Sequence, residues 1–382
     1  MKIFHLSDLH IGKRVNGYSM LEDQKFILSE ILSRVQEEKP QAVIIAGDVY
    51  DRAMPSEEAV ALLDDFLCRL VGLPVAPEIF IIYGNHDSAE RLSFGNRLMG
   101  KSGVHLSPVF TGKLTPVILS DEYGQVAFYL LPFIKPSDAR NAYPEAKIEN
   151  YTDALREALA HADLKGTQRN VLVAHQFVTG TQRSESEDIA VGGLDNVDEA
   201  VFDGFDYVAL GHLHRPQAVP CRENIRYCGT PLKYSLSEKD DQKGILVVEL
   251  GAGKEPTYRT IPLTPLHDMR VIKGTYDELT LRKNYEGTAT DDYIHVILTD
   301  ENDVMDAVGR LRSIYPNLMS LEYQNTRTSG EKRIEAMEQV EQKTDLEILE
   351  TLYLLQNNQE MNAAQREFSD RLFKAIQEGE LS

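Results

Sequence analysis

Five short apolar runs in the first 214 residues each end at side chains that bind metals. The runs cover residues 2–6, 42–46, 78–82, 170–174 and 207–210, and each has the length of a buried strand. Their ends carry Asp8 and His10, Asp48, Asn85 beside His86, His175, and the pair His212 and His214. In an open α/β sheet the strand ends converge on one edge, and ligands bind there. Five endings of this kind predict one site for two divalent cations. Two cations about 3.5–4 Å apart can hold both sides of an in-line phosphoryl displacement. The pattern therefore points to a layered α/β fold and to phosphoester chemistry.

The segments between these runs agree. Residues 21–36 place Phe26, Ile27, Ile31 and Val35 at helical spacing, and residues 56–70 do the same with Ala59, Leu62, Leu63, Phe66 and Leu70 behind Ser56 as N-cap. Strands alternating with helices imply a layered α/β domain. Later runs at 126–131, 244–250 and 258–261 lie closer together, so part of the sheet is expected to be antiparallel. Pro262, Pro265 and His267 mark a boundary, giving a first domain over 1–264. Residues 265–325 read as a small α+β unit with strands at 269–273, 293–298 and 317–323. Its helix is expected at 302–315, with Val304, Val308, Leu311 and Ile314 on one face. Residues 326–343 are polar and contain Ser329-Gly330, as a linker would. The stretch 344–382 then holds two amphipathic helices. One, 344–356, opens on a Thr344/Glu347 capping box and carries Ile348, Leu352 and Leu355. The other, 359–377, carries Phe368, Leu372 and Ile376.

Composition removes several function classes. No apolar run approaches the ~20 residues that span a bilayer. The apolar core at the N-terminus is too short for a signal peptide, and Asp8 follows at once. A cytoplasmic protein with no membrane contact is expected. Cys68, Cys221 and Cys228 form no Cys-x-x-Cys pair, which argues against a disulfide framework or a zinc knuckle. The net charge of −20 argues against a strong autonomous grip on nucleic acid, because that grip grows with phosphates neutralised. DNA as a substrate stays open, since bound cations reverse the sign of an acidic site.

Each cluster has a chemical reading and a plain one. Asp8-Leu9-His10 puts a carboxylate and an imidazole two apart, on one side of an extended segment, where both could bind one metal. The plain reading is a hydrogen-bonded surface pair. Asp48 follows Gly47, which lets the backbone approach the metals, and its two oxygens could bridge two cations. A helix-capping turn would use the same residue. In Gly84-Asn85-His86-Asp87, Asn85 offers a neutral carbonyl ligand. His86 could stay off the metals as general acid or charge stabiliser, its ring oriented by Asp87 or Asp51. His175 alone would pass for a structural histidine. His212 and His214 repeat the two-residue spacing and would make an imidazole pair for Mn²⁺ or Zn²⁺. The mixed oxygen and nitrogen set favours such cations over calcium.

This constellation, Asp8-x-His10, Gly47-Asp48, Gly84-Asn85-His86-Asp87, His175 and Gly211-His212-x-His214, resembles the calcineurin-like metallophosphoesterase superfamily. Within it the chain is similar to the SbcD family of nuclease subunits of bacterial double-strand-break repair complexes. Three further stretches carry that resemblance: Gly211 to Gln217, Gly229-Thr230-Pro231-Leu232-Lys233-Tyr234-Ser235-Leu236-Ser237-Glu238, and Val191-Gly192-Gly193 after Ser184-Glu185-Ser186-Glu187. The resemblance implies an αββα sandwich with a small α+β capping domain and C-terminal helices. It implies one metal held by Asp8, His10, Asp48 and His214, and a second held by Asp48, Asn85, His175 and His212. His86 would protonate the leaving sugar oxygen or stabilise charge on the phosphorane, and the cations would lower the pKa of the attacking water. Two Mn²⁺ ions are implied as cofactors, with Mg²⁺ as the other candidate.

The same resemblance gives the outer segments roles. Residues 265–325 would shape the DNA-binding cleft, and the helices at 344–356 and 359–377 would dock on SbcC, the ATPase partner. The helices at 21–36 and 56–70 would form a homodimer contact. The implied activity is 3′→5′ exonuclease and single-strand or hairpin endonuclease action in DNA repair and recombination. The alternative enzyme is a small-molecule metallophosphodiesterase or phosphatase on the same metal core. A DNA-end scaffold with dead catalysis is the non-enzymatic alternative, and no expected ligand is missing to support it.

Overall fold

The computed structural model describes residues 1–325 except 167, 188–194 and 254, together with 346, 347, 349, 350, 353, 354 and 360–377. These fall into two compact units, Met1–Asp268 and Met269–Ser382.

The first unit is built on two six-stranded mixed sheets. One sheet runs Thr257–Pro262, Gly244–Glu249, Lys2–Leu6, Ala42–Ala46, Glu78–Ile82, Val104–Leu106. Its last four strands are parallel; Gly244–Glu249 adds antiparallel to Lys2–Leu6, and Thr257–Pro262 antiparallel to Gly244–Glu249. The other runs Gln217–Val219, Arg222–Tyr227, Tyr207–Gly211, Arg169–His175, Gly124–Leu130, Val117–Asp121, with antiparallel pairing only at its two edges. The five site-bearing strands are thus shared between two sheets: three end in the first and two in the second. The single sheet edge expected from the sequence is replaced by two edges side by side. An all-apolar run such as Ala42–Ala46 reveals that both faces are buried but not which sheet it joins.

The sheets meet face to face. Ile3, Ile44, Phe80 and Ile82 pack against Phe128, Val171, Val173 and Tyr207, and the rings of Phe80 and Phe128 stack at 4.2 Å between centroids. Alternate residues point the other way. Phe4, Val43, Ile45, Ile79 and Ile81 are fully buried on the far face of the first sheet. Helices Leu21–Glu38 and Glu57–Val71 bury Ile27, Ile31 and Val35, and Leu63, Phe66 and Leu70. Ser56 caps the second helix by accepting from the Ala59 N–H, as its position before the apolar stripe predicts. On the far face of the second sheet, Tyr129, Leu172 and Val208 meet Leu155, Ala158 and Leu159 of helix Tyr151–Ala160. Helix, sheet, sheet, helix is the layer order. Near the end of this unit His267 is tied to buried Asp23 through its backbone N–H, at 3.0 Å.

The second unit holds a three-stranded parallel sheet, Met269–Gly274, Tyr293–Leu298 and Leu318–Tyr323, with the middle strand central. Ile294, Val296 and Leu298 pack on Leu311, Tyr315 and Leu318. The helix expected at 302–315 is Ala307–Arg312, and two short helices, Tyr276–Thr280 and Arg282–Tyr285, precede it. Asp306 has φ +52° and stands outside the helix, so Val304 packs on the core from the preceding turn. The last helix is Ala363–Gln377. It starts later than 359 because Asn362 and Gln365 cap each other reciprocally, side chain to backbone, at 2.9 Å both ways. Phe368 is 62% exposed. Positions 344, 348, 352 and 355, the whole of the 326–343 linker, and Val191-Gly192-Gly193 lie outside the described residues. No described helix is long and apolar enough to cross a membrane.

Candidate metal centre

Both sheets deliver their strand ends to one buried cluster. Strand Lys2–Leu6 leads into Ser7, Asp8 and His10; Ala42–Ala46 into Asp48; Glu78–Ile82 into Asn85 and His86. From the second sheet, Arg169–His175 ends on His175, and Tyr207–Gly211 leads into His212 and His214. Three sets of these side chains bring their ligand atoms within 4.8 Å of one another: Asp8, His10 and His214; His10, Asp48 and His86; Asp8, Asp48 and His175.

The backbone is unusual where the ligands sit. Asp8 (φ 53°), His10 (φ 44°), Asp48 (φ 46°) and His212 (φ 99°) all lie in the left-handed region. Such conformations cost of order 1–3 kcal/mol each and persist where the surroundings over-determine them, commonly at functional sites. The bonds that hold them are present. Asp8 N–H donates to Gly47 O at 3.0 Å and His10 N–H to Asp48 O at 2.9 Å. His212 N–H donates to both Asp8 oxygens, at 3.0 and 3.1 Å. These turns correct the extended-segment reading of both Asp-x-His and His-x-His. His212 Nδ1 meets Asn85 Oδ1 at 3.0 Å, whereas His214 Nε2 meets His10 Nε2 at 3.1 Å. The two imidazoles therefore serve different ends of the cluster.

Asp48 is the hub. Its Oδ2 lies 3.3 Å from His175 Nε2, 3.8 Å from His10 Nε2 and 3.9 Å from His86 Nε2. Its Oδ1 accepts the His86 N–H at 2.9 Å. His175 Nδ1 donates to the Ala46 carbonyl at 2.8 Å, which leaves Nε2 facing Asp48 and, at 3.1 Å, Asn85 Oδ1. Close packing leaves no slack: a Cβ on Gly47 would stand 2.3 Å from His175 Nδ1, and one on Gly211 1.9 Å from Ala46 O.

The electrostatics are those of a site built for positive charge. Burial would raise Asp48, but neighbouring His175 overrides it and holds the carboxyl well below the usual range. The same pairing, working against burial, raises His175 to about 9. Burial lifts Asp8 to about 6, pushes His212 down to about 3, and holds His10 well below an ordinary histidine. Asp8 and Asp48, both buried, thus share one cluster with the His175 imidazole. His10 Nδ1 is buried with no hydrogen-bond partner. Four imidazoles, two carboxylates and an amide oxygen, all turned inward, fit divalent cations of the Mn²⁺ or Zn²⁺ type.

His86, which shares a ligand-capable trio with His10 and Asp48, is the most open of these imidazoles. Its Nδ1 donates to the Asp51 backbone carbonyl at 3.1 Å, and its side chain is 21% exposed where His10 and His175 are sealed. The sequence offered the carboxylates of Asp87 or Asp51 as orienters; the bond seen here runs to the Asp51 backbone carbonyl. Asp87 accepts the backbone N–H groups of Val49, Tyr50 and Gly84, bracing the two loops against each other. The Asp51 carboxylate pairs with Lys13 at 2.9 Å and lies 3.7 Å from His10 Nδ1. Sequence reasoning missed Lys13, and also Ser186, Glu238 and Lys243 behind His214. Of these, the Gly229–Glu238 and Ser184–Glu187 stretches were the only sequence signal.

Comparison with known proteins follows the same division. The calcineurin-like phosphoesterase family model matches residues 1–216. A model described as the type 5 capsule protein repressor C-terminal domain matches residues 265–357. The SbcD subunit of the SbcCD nuclease from Staphylococcus epidermidis is 31% identical over 98% of this chain and 99% of that protein. Its counterpart of the same name from Staphylococcus saprophyticus is 35% identical over 84% of each. Among solved structures, a dimetal phosphatase from Danio rerio is similar at a TM-score of 0.40 and 13% identity, covering 68% of this chain and 98% of that one.

Proposed function

The chain belongs to the calcineurin-like phosphoesterase family, and on that premise we propose that it is the nuclease subunit of an SbcCD-type complex, hydrolysing DNA phosphodiesters at a two-Mn²⁺ site. The observation that carries this reading is the convergence of six candidate ligand side chains from two sheets around a seventh, Asp48. When bound, the two cations would polarise the scissile phosphate and lower the pKa of the attacking water. Asp8, His10 and His214 would hold one, Asn85, His175 and His212 the other, with Asp48 between them. His86 is oriented by the Asp51 carbonyl, so its Nε2 faces the cluster from the partly open side. From there it can give a proton to the leaving sugar oxygen or stabilise charge on the phosphorane.

A cavity of about 520 Å³ beside Asp51 is lined by Arg14 and Arg52. Asp51 and Glu58 share that lining and balance the two guanidinium groups, with Arg52 3.6 Å from the Asp51 carboxylate. Residues 265–325 would cap the DNA cleft, and residues 344–382 would dock on the ATPase subunit through the exposed face around Phe368. A homodimer contact through helices Leu21–Glu38 and Glu57–Val71 is supported by Phe26 and Val60, both over 40% exposed. The reading carries with it a cytoplasmic site of action. The test is cleavage of blunt duplex and hairpin DNA with Mn²⁺ or Mg²⁺, with and without the ATPase. Metal-dependent 3′→5′ degradation and hairpin opening are expected. Activity confined to nucleotides or small phosphodiesters would sink the nuclease reading.

A further inference from the structure

Behind His214 lies a polar network that the reaction does not itself use. His214 Nδ1 is 2.5 Å from Ser186 Oγ. Ser186 Oγ is in turn 2.6 Å from Glu238 Oε1. Glu238 is fully buried, and its other oxygen accepts from Lys243 Nζ at 2.6 Å. Lys243 is itself only 4% exposed and also donates to the His214 carbonyl at 2.7 Å. Thr230 and Ser235 complete the shell around the Glu238 carboxylate. The neighbouring Glu187 accepts the His214 N–H at 2.7 Å. Residues 184–187 therefore grip His214 at two points, ring and backbone.

A hydroxyl has one proton to give. Glu238, paired with Lys243, can only accept, so Ser186 spends its proton there. Towards His214 the Ser186 oxygen must then accept, and Nδ1 must carry hydrogen. A neutral imidazole with hydrogen on Nδ1 has its lone pair on Nε2, the atom that faces His10 at 3.1 Å. His175 likewise directs Nδ1 to an acceptor, the Ala46 carbonyl, and turns Nε2 inward.

We propose that Ser186, backed by the buried Glu238–Lys243 pair, is a positioning residue that locks His214 in the tautomer and orientation needed to ligate a cation. This gives the Ser184-Glu185-Ser186-Glu187 stretch a role, and it rests on the two-metal reading of the site. Partners behind a ligating histidine typically contribute about 10–100-fold to metal affinity.

The test uses the full chain and two readouts. Mn²⁺ titration of the metal-free protein should show two ions in the wild type. In Ser186→Ala, two ions should still bind, with one weakened about 10–100-fold. Ser186→Thr, which keeps the hydroxyl, should restore the affinity. Separately, imidazole ¹⁵N shifts of the metal-free protein, assigned with His214→Gln, should show His214 with hydrogen on Nδ1 and a redistribution towards Nε2 in Ser186→Ala. Ser186 is half-buried on a loop, so the alanine variant is expected to fold. Unchanged affinities with an unchanged tautomer would overturn the proposal. Fewer than two ions in the wild type would overturn the two-metal reading, while the tautomer measurement, made without metal, would still decide the relay.

Discussion

Gly84→Ala should disable the metal centre without replacing any candidate ligand. A Cβ at position 84 would lie 2.1 Å from Asp48 Oδ1, 2.5 Å from its backbone nitrogen and 2.7 Å from its Cγ. Carbon in ordinary contact needs about 3.5 Å, so Asp48 must retreat by about 1 Å or the 84–87 turn must move as far. Neither has room. Asp48 is 3% exposed in its side chain and hydrogen-bonded to His86 N–H, and the Asp87 carboxylate ties the turn to Val49 and Tyr50. Overpacking of this kind costs about 1–3 kcal/mol, or about 2–4 °C in Tm per kcal/mol for a unit of this size. The catalytic loss should be larger in relative terms. Displacing a catalytic constellation by about 1 Å can cost 10²-fold, and Asp48 serves both cations. Calorimetric Mn²⁺ titration, thermal melting and DNA cleavage should show weaker binding of both ions, a Tm lowered by several degrees, and at least a ~10²-fold loss of rate. Gly100→Ala is the control, since nothing lies within 4 Å of its added Cβ. Two ions bound at wild-type affinity with an unchanged rate in Gly84→Ala would refute the packing argument.

Three further outcomes follow from named contacts. His86→Ala should keep both ions yet lose about 10²–10⁴-fold in cleavage rate, and a rate within threefold of wild type would remove His86 from the mechanism. Burial would raise the Asp121 carboxyl, but hydrogen bonds from Arg169 outweigh it and hold the group well below the usual range. A depressed carboxyl contributes stability above its unfolded pKa of about 4, and that contribution fades as the pH falls towards the folded value. Asp121→Asn should therefore cost about 3–5 kcal/mol in urea unfolding at pH 7. The difference should narrow near pH 3, and a pH-independent difference would contradict the assignment. Deleting 340–382, or changing Phe368→Glu, should abolish association with the ATPase in a pull-down while leaving metal-dependent cleavage of single strands. Loss of the metal centre in either variant would count against the modular reading.

The strands that build the site were legible because each is a mainly apolar run that ends on, or within three residues of, a metal-binding side chain. Lys2–Leu6, Ala42–Ala46, Glu78–Ile82 and Tyr293–Leu298 begin and end where the pattern places them. Periodicity cannot assign a buried strand to one sheet or the other, so the division of the five strands between two sheets emerges only in three dimensions. Local spacing also misled at Asp8-x-His10 and His212-x-His214, where positive φ at three of the four residues replaces the extended geometry. Those conformations are imposed by bonds to Gly47, Asp48 and Asp8, which are distant in sequence. The holder of His86 is a backbone carbonyl, and a backbone atom leaves no trace in residue identity. Ser186, Glu238 and Lys243 meet His214 across gaps of about 24–29 positions, beyond the reach of any local pattern.

The central claim is a two-cation site bridged by Asp48, and an anomalous difference map from a Mn²⁺-soaked crystal tests it most directly. Two peaks about 3.5–4 Å apart are expected, one against His10 and His214, the other against His175 and His212, with Asp48 touching both. A single peak, or two peaks that Asp48 does not join, would contradict the account.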